Sequence, residues 1–270
     1  MTPTLVGVGV GPGDPELVTM QAVRVLREAD VVMVPVADTG EEGRAERVVR
    51  ANVDRDIRRQ VFVLAARANR DGADRDRPDR DGRDREAADR DRPDQEAADR
   101  EAVWDAAGEA VAAAYAAGAG TVAFATIGDP NVYSTFSYLA ETVRRLVPGV
   151  VVRTVPGITA MQALAAASGT VLVEGRESLV LLPLTAGVET LRHALEAHDT
   201  VVAYKGGHVL PDVLAAVTAA GRLDTAVFGA ALGLPGEDVR PAAALGARRT
   251  APYLSTLLVP PSRSGRGARL

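Results

Sequence analysis

The chain of 270 residues contains no cysteine. That excludes disulfides, thiol catalysis, thiolate-ligated zinc and iron–sulfur clusters. Lysine is nearly absent as well: Lys205 is the only one, and the rest of the basic side is arginine. Histidine occurs three times. His193 and His198 are five residues apart and cannot share a helical face as metal ligands four apart would, and His208 follows Gly206-Gly207 in a loop. All three read as surface or cap histidines, and no metal site is expected. No apolar run approaches the roughly 18 residues of a membrane span, and the N-terminus lacks a charged region followed by a cleavage site. No membrane association is expected, and the location expected is cytoplasmic. The net charge of −5 gives nucleic-acid binding no electrostatic support. Ser134 and Ser168 have no Gly-x-Ser-x-Gly context, so a serine nucleophile has no support.

The familiar nucleotide fingerprints are missing too. The opening Gly7-Val8-Gly9-Val10-Gly11-Pro12-Gly13-Asp14-Pro15 looks like a dinucleotide loop, but the spacing fails. A Gly-x-Gly-x-x-Gly frame from Gly7 needs glycine where Pro12 stands, and one from Gly9 needs it where Asp14 stands. Asp14 would set a carboxylate near the phosphates. No Gly-Lys-Ser/Thr of a P-loop occurs.

What is present is a regular alternation of strand-sized apolar runs and helical patterns, typical of an α/β protein. The composition, 47% hydrophobic and 25% charged, is that of a globular chain. Leu5 to Val10 reads as a first strand. Asp14 is expected to cap a helix through Leu17, Met20, Val23 and Leu26, with Pro15 at its first position. Val31 to Val36 is unalternating, as in a parallel strand buried on both faces. A helix is expected over Arg44 to Val53, a strand over Gln60 to Leu64 and an alanine-rich helix from Glu101. Residues 67–100 repeat Asp-Arg pairs around Pro78 and Pro93, with almost no apolar residue larger than alanine. Such a segment buries too little to offset its ordering entropy. It is expected to be a disordered, solvated insertion, compact to helical rather than stretched, and tolerated because long loops cost little. Further strands are expected at 121–127, 150–155, 178–184, 200–205, 226–232 and 253–259. The organisation expected is an N-terminal α/β domain over 1–155, a C-terminal α/β domain over 156–260 and a flexible tail over 261–270.

The stretch Thr121 to Thr135 stands out. A buried strand stops at Gly128-Asp129-Pro130 and a helix restarts near Ser134. In open α/β sheets, ligands bind at the carboxyl ends of strands. Other strands likewise end in Gly/Pro-rich loops, at Gly11-Pro12-Gly13, Pro156-Gly157, Lys205-Gly206-Gly207 and Gly233-Leu234-Pro235-Gly236. Loops with so few ionised groups suit an adenosine-bearing ligand with a compact cationic centre, not a polyphosphate.

In order, Gly9 to Thr19, Gly128-Asp129-Pro130, Pro156 to Ala160 and Ala203-Tyr204-Lys205-Gly206 resemble the motifs of the tetrapyrrole methylases, from about residue 4 to about 260. Gly43-Arg44-Ala45 and Thr126 to Phe136 resemble the branch that methylates precorrin-2 at C-20. The resemblance implies a two-domain α/β fold with S-adenosylmethionine in a cleft between the domains, a tetrapyrrole substrate, and a homodimer. It carries cofactor contacts to Pro12, Ile127, Gly128, Asp129, Val132, Thr159, Ala160, Lys205 and Gly233. Asp129 is expected to bind the methionyl amino group or the ribose, and Lys205 to act mainly through its backbone. Arg44, Tyr133 and Ser134 are the substrate-binding candidates, and no catalytic acid or base is assigned. Two alternatives stay open: the same fold acting on cobalt-precorrin-2 or another ring carbon of a corrinoid or sirohaem precursor, and a non-enzymatic nucleotide-binding regulatory protein.

Overall fold

In the computed structural model, residues 2–36, 42–54, 56–61, 85–246, 248, 250–263 and 265 are described. The chain divides into two units, Met1–Ile158 and Thr159–Leu270. The first unit contains β1 (Thr4–Gly9), α1 (Met20–Glu28), β2 (Val31–Val36), α2 (Arg44–Asn52), β3 (Ile57–Val61), α3 (Arg85–Ala116), β4 (Thr121–Thr126), α4 (Phe136–Leu146) and β5 (Val151–Val155). Its strands pair in the order β3-β2-β4-β1-β5, all parallel.

The unalternating strands are explained by two covered faces. Val6, Val8, Val10, Ala123 and Ala125 pack towards α1 and α2. Leu5, Val122 and Phe124 face the other way, towards α3 and α4. Each fully buried large apolar side chain contributes roughly 1.5–3 kcal/mol, so both clusters are needed to hold the sheet. Gly7 lies beneath Phe136, which comes within 2.5 Å of where a Cβ would stand.

The connections define the site edge. From β1 the chain passes β4 to reach β2; from β4 it passes β1 to reach β5. The neighbours β1 and β4 therefore send their helices in opposite directions, and the crevice at their carboxyl ends is the place where open sheets bind ligands.

Several local expectations shift. Asp14 does not cap α1: its carboxylate accepts from Glu16 N at 2.8 Å and closes a short 3-10 turn over Pro15–Leu17. The helix starts at Met20, capped by the Thr19 hydroxyl. The third strand lies earlier than expected, at Ile57–Val61, because an edge strand accommodates Arg58 and Arg59; residues 62–64 lie outside the described residues. α3 begins at Arg85 rather than Glu101, so its backbone takes in 85–100, part of the charged segment expected to be compact to helical, in keeping with its many good helix formers; 67–84 lie outside the described residues. Past Val103, α3 runs alongside α4, with Trp104 stacked on Tyr138 at 4.2 Å.

The second unit contains α5 (Ala160–Ser168), β6 (Leu179–Pro183), α6 (Val188–Ala197), β7 (Thr200–Tyr204), α7 (Leu210–Ala219), β8 (Val227–Ala230), β9 (Asp238–Pro241) and β10 (Ser255–Val259). Its order is β6-β7-β10-β8-β9, with β10 antiparallel to both its neighbours. One face packs on α6 and α7 through Val201, Ala203, Phe228 and Leu257. On α5, Leu164 sits against Gly229, where a Cβ would meet it at 2.7 Å. β9 is absent from the sequence reading because Asp-Val-Arg-Pro is short and polar, as edge strands often are. Arg263 is not frayed: it donates to Glu177, whose side chain is only 1% exposed. Among the described residues no helix is long and apolar enough to cross a membrane.

The α3–α4 contact depends on Gly108, where an added Cβ would come within 2.3 Å of Thr142 Cγ2. Gly108→Val is expected to cost about 1–3 kcal/mol of unfolding free energy in urea titrations. Adding Thr142→Ala should recover part of the loss; independent, additive effects would contradict the contact.

Candidate functional site

In the first unit the loops after β1, β4 and β5 meet. Gly128 N donates to Gly11 O at 2.7 Å, and Val10 N to Thr126 O at 3.0 Å. A Cβ on Gly9 would stand 2.6 Å from both Gly128 O and Gly157 N, and one on Gly157 would stand 2.0 Å from Gly128 O. Three backbones thus touch where only glycine fits. Gly128 itself has φ +71° and open space where its Cβ would be, so this loop shows bare backbone outward. Pro12 is buried beside it, while Ile127, Gly128, Asp129 and Val132 are half-buried.

The Asp129 carboxylate is already engaged. Oδ1 accepts from Asn131 N at 2.8 Å and Oδ2 from Gly157 N at 3.0 Å. Val132 N donates to Asp129 O at 3.2 Å. Ser134 faces inward: its hydroxyl lies 3.1 Å from the Thr126 hydroxyl and accepts from Phe136 N at 3.2 Å. It therefore holds the start of α4. Tyr133 points outward, 46% exposed, on a backbone with φ +48°. Partial burial raises the pKa of its phenol.

Arg44 is the first residue of α2 and is exposed. A cation at a helix N-terminus opposes the helix dipole, so Arg44 gains no stabilisation from the helix end. Below it, Glu46 is buried and its Oε2 accepts from Gly43 N at 3.2 Å, the half of a capping box that a glycine N-cap allows. Its Oε1 accepts from Arg50 Nη2 at 2.7 Å, and Oε2 lies 3.0 Å from Arg59 Nε. Burial alone would raise the Glu46 pKa, but the bonds from Arg50 and Gly43 and the charge of Arg59 outweigh it and hold the pKa below the usual value. The signal for this anchor was legible as a glutamate three residues after Gly43.

In the second unit the corresponding features cluster at the ends of β7 and β8 and at the start of α5. Thr159 caps α5: Gln162 Oε1 accepts from Thr159 N and from its hydroxyl, both at 2.9 Å. Met161 N donates to the Tyr204 hydroxyl at 2.8 Å, which ties α5 to the end of β7. No sequence signal marked Tyr204 for this role. Lys205 follows with φ +63°, its N–H donating to Ser255 O at 3.1 Å and Nζ 5.8 Å from the centre of the Tyr253 ring. Gly233 has φ +69°, and its N–H donates to Glu237 Oε2 at 2.6 Å. The structure thus places Pro12, Ile127, Gly128, Asp129 and Val132 together in one unit, and Thr159, Ala160, Lys205 and Gly233 on elements of the other.

Several backbone donors of these loops are satisfied within the protein. The N–H groups of Gly128, Asn131, Gly157, Thr159, Met161 and Gly233 all have internal acceptors. A phosphate cradle needs such donors pointing outward. These six donors are therefore not available to a phosphate.

Comparison with known proteins follows the same line. Residues 4–245 match the family model for Tetrapyrrole (Corrin/Porphyrin) Methylases. A precorrin-2 C(20)-methyltransferase from Sinorhizobium sp is 34% identical over 257 residues, 95% of this chain and 94% of that one. A cobalt-precorrin-2 C(20)-methyltransferase from Salmonella typhimurium is 28% identical over 96% of this chain and 97% of its own length. Among solved structures, a uroporphyrin-III C-methyl transferase from Thermus thermophilus, complexed with S-adenyl homocysteine, aligns with a TM-score of 0.57 at 22% identity. That alignment covers 95% of this chain and 97% of that one.

The Glu46 anchor has a pH signature. Its carboxylate pKa is lowered by folding, so its contribution is present above the unfolded value of about 4.3 and is lost as pH falls through the folded value. Glu46→Gln is expected to lose about 1–3 kcal/mol at neutral pH. The gap from wild type, followed by denaturant titration, should shrink in acid; a pH-independent gap would contradict the assignment.

Proposed function

The chain belongs to the tetrapyrrole methylase family, and from that premise we propose that it transfers a methyl group from S-adenosylmethionine to C-20 of precorrin-2, giving precorrin-3A in cobalamin biosynthesis. The observation that carries the cofactor assignment is the consumption of loop N–H groups at Gly128, Gly157, Thr159 and Gly233. Donors spent in this way are not available to a pyrophosphate. Gly9 and Gly157 leave no room for a Cβ, and Gly128 opens outward, which is the bare backbone an adenosine ligand can approach. These residues fit the cofactor, which supplies an electrophilic methyl group when bound. Pro12, Ile127, Gly128 and Val132, with Thr159, Ala160, Lys205 and Gly233, are the residues we assign to holding it, and Asp129 shapes their loop through its bonds to Asn131 N and Gly157 N.

Precorrin-2 is a reduced, enamine-like macrocycle, so its carbon is already nucleophilic. The protein's task is chiefly to hold donor and acceptor in line, an effect worth up to roughly 7–11 kcal/mol. The carbonyls must hold the sulfonium less tightly as its charge is lost, since equal binding before and after would not raise the rate. Arg44 offers a guanidinium to a carboxylate of the polycarboxylate substrate. Tyr133 lies against the macrocycle edge as an exposed aromatic with a hydroxyl donor. Ser134 serves by fixing Tyr133 and the head of α4 through its bonds to Thr126 and Phe136 N. The protein is read as a cytoplasmic homodimer on the strength of the family resemblance. The Salmonella typhimurium relative favours a second reading, the same transfer to cobalt-precorrin-2.

Calorimetric titration with S-adenosylhomocysteine, NAD and ATP tests the cofactor assignment. Binding of the first alone is expected; binding of NAD alone would reject it. Arg44→Ala is expected to raise the substrate KM about tenfold, roughly the loss of one charge-assisted bond, and to leave the S-adenosylhomocysteine affinity unchanged. Equal losses for both ligands would contradict the division of roles.

A further inference from the structure

We infer that the Asp129 carboxylate is a positioning residue, which fixes the linker into the second unit through Gly157 N–H rather than holding the ligand itself. The inference rests on reading these loops as cofactor loops. Oδ1 closes the local turn on Asn131 N, and Oδ2 reaches across to Gly157 N at 3.0 Å. Gly157 stands two residues before the unit boundary between Ile158 and Thr159. Pro156 has no N–H, so Gly157 carries the first donor that the chain offers on leaving β5. Thr159 N is spent on Gln162 in the cap of α5. One carboxylate therefore fastens the strand-to-helix linker to the β4 loop.

The surroundings leave this latch little slack. Gly157 presses on Gly128 O and on the Gly9 backbone, where a Cβ would come within 2.0 and 2.8 Å. A shift of the linker would separate all three loops at once. A bond to an ionised acceptor is roughly twice as strong as a neutral one, which suits a single anchor. An asparagine would keep one carbonyl oxygen and turn an NH2 towards one of the two N–H groups, so it cannot serve both.

Amide hydrogen exchange by NMR and S-adenosylhomocysteine titration of Asp129→Asn test the assignment together. In the unliganded variant the Gly157 amide is expected to exchange at least tenfold faster, with the amides of β1 and β4 unchanged. The S-adenosylhomocysteine affinity should fall about tenfold. Asp129→Glu, which keeps the charge but moves the carboxylate outward, should behave as Asp129→Asn does; a direct ion pair with the ligand would tolerate it. Thr154→Val, which removes only the neighbouring Asn131 side-chain bond, should change neither readout. Lost affinity with Gly157 protection intact would overturn the inference, as would lost protection with affinity intact. A wild-type protein that binds no S-adenosylhomocysteine would instead overturn the cofactor reading on which the inference stands.

Discussion

Three strands end where their backbones touch, and the chemistry of the first unit depends on that contact. Gly9, Gly128 and Gly157 approach so closely that a methyl group on Gly9 or Gly157 would collide with backbone. The approach pairs the loops' own donors with their own acceptors: Gly128 N with Gly11 O, and Gly157 N with Asp129. Helix starts follow the same rule. Thr19 caps α1, Ser134 receives Phe136 N, and Gln162 receives Thr159 N. Helix N-termini at a strand edge are ordinarily anion sites. Here the Thr19 hydroxyl and the Ser134 hydroxyl each take up one such donor.

The second unit reaches a related surface by different means. Its sheet is mixed, yet β7 and β8 deliver their loops at one edge, because both pair antiparallel with β10. Lys205 and Ala231 have left-handed backbones immediately past these strands, as Tyr133 does in the loop after β4. Each such residue carries roughly 1–2 kcal/mol of strain that glycine would relieve. Strain of this kind persists where the surroundings fix the loop and where a side chain is wanted at that point. Lys205 is held on one side by Ser255 O, and its neighbour Tyr204 bonds α5.

Much of the architecture was legible because hydrophobic periodicity and strand length are local properties. The unalternating run at Val31 announced a parallel strand covered on both faces, the run at Val122 a buried strand, and Gly-Asp-Pro a loop at a strand end. What was not legible depends on partners distant in sequence. β3 was displaced because Arg58 and Arg59 look like loop residues until the edge position is known, and β9 was passed over for the same reason. Asp14 fitted a helix cap but serves a 3-10 turn, because Thr19 supplies the real cap five residues on. At the candidate site, residue types pointed to loops at strand ends but could not assign their atoms. The Gly233 N–H and both Asp129 oxygens are occupied by protein, which only Glu237 and Gly157 in three dimensions reveal.

The most direct measurement joins cofactor and substrate in one product. Incubating the protein with precorrin-2 and S-adenosylmethionine carrying a 13C-labelled methyl group, and then locating the label by NMR, reports donor, acceptor and position together. The account predicts a single enriched methyl at C-20. Label at any other ring carbon, or no transfer from a cofactor that binds, would contradict it.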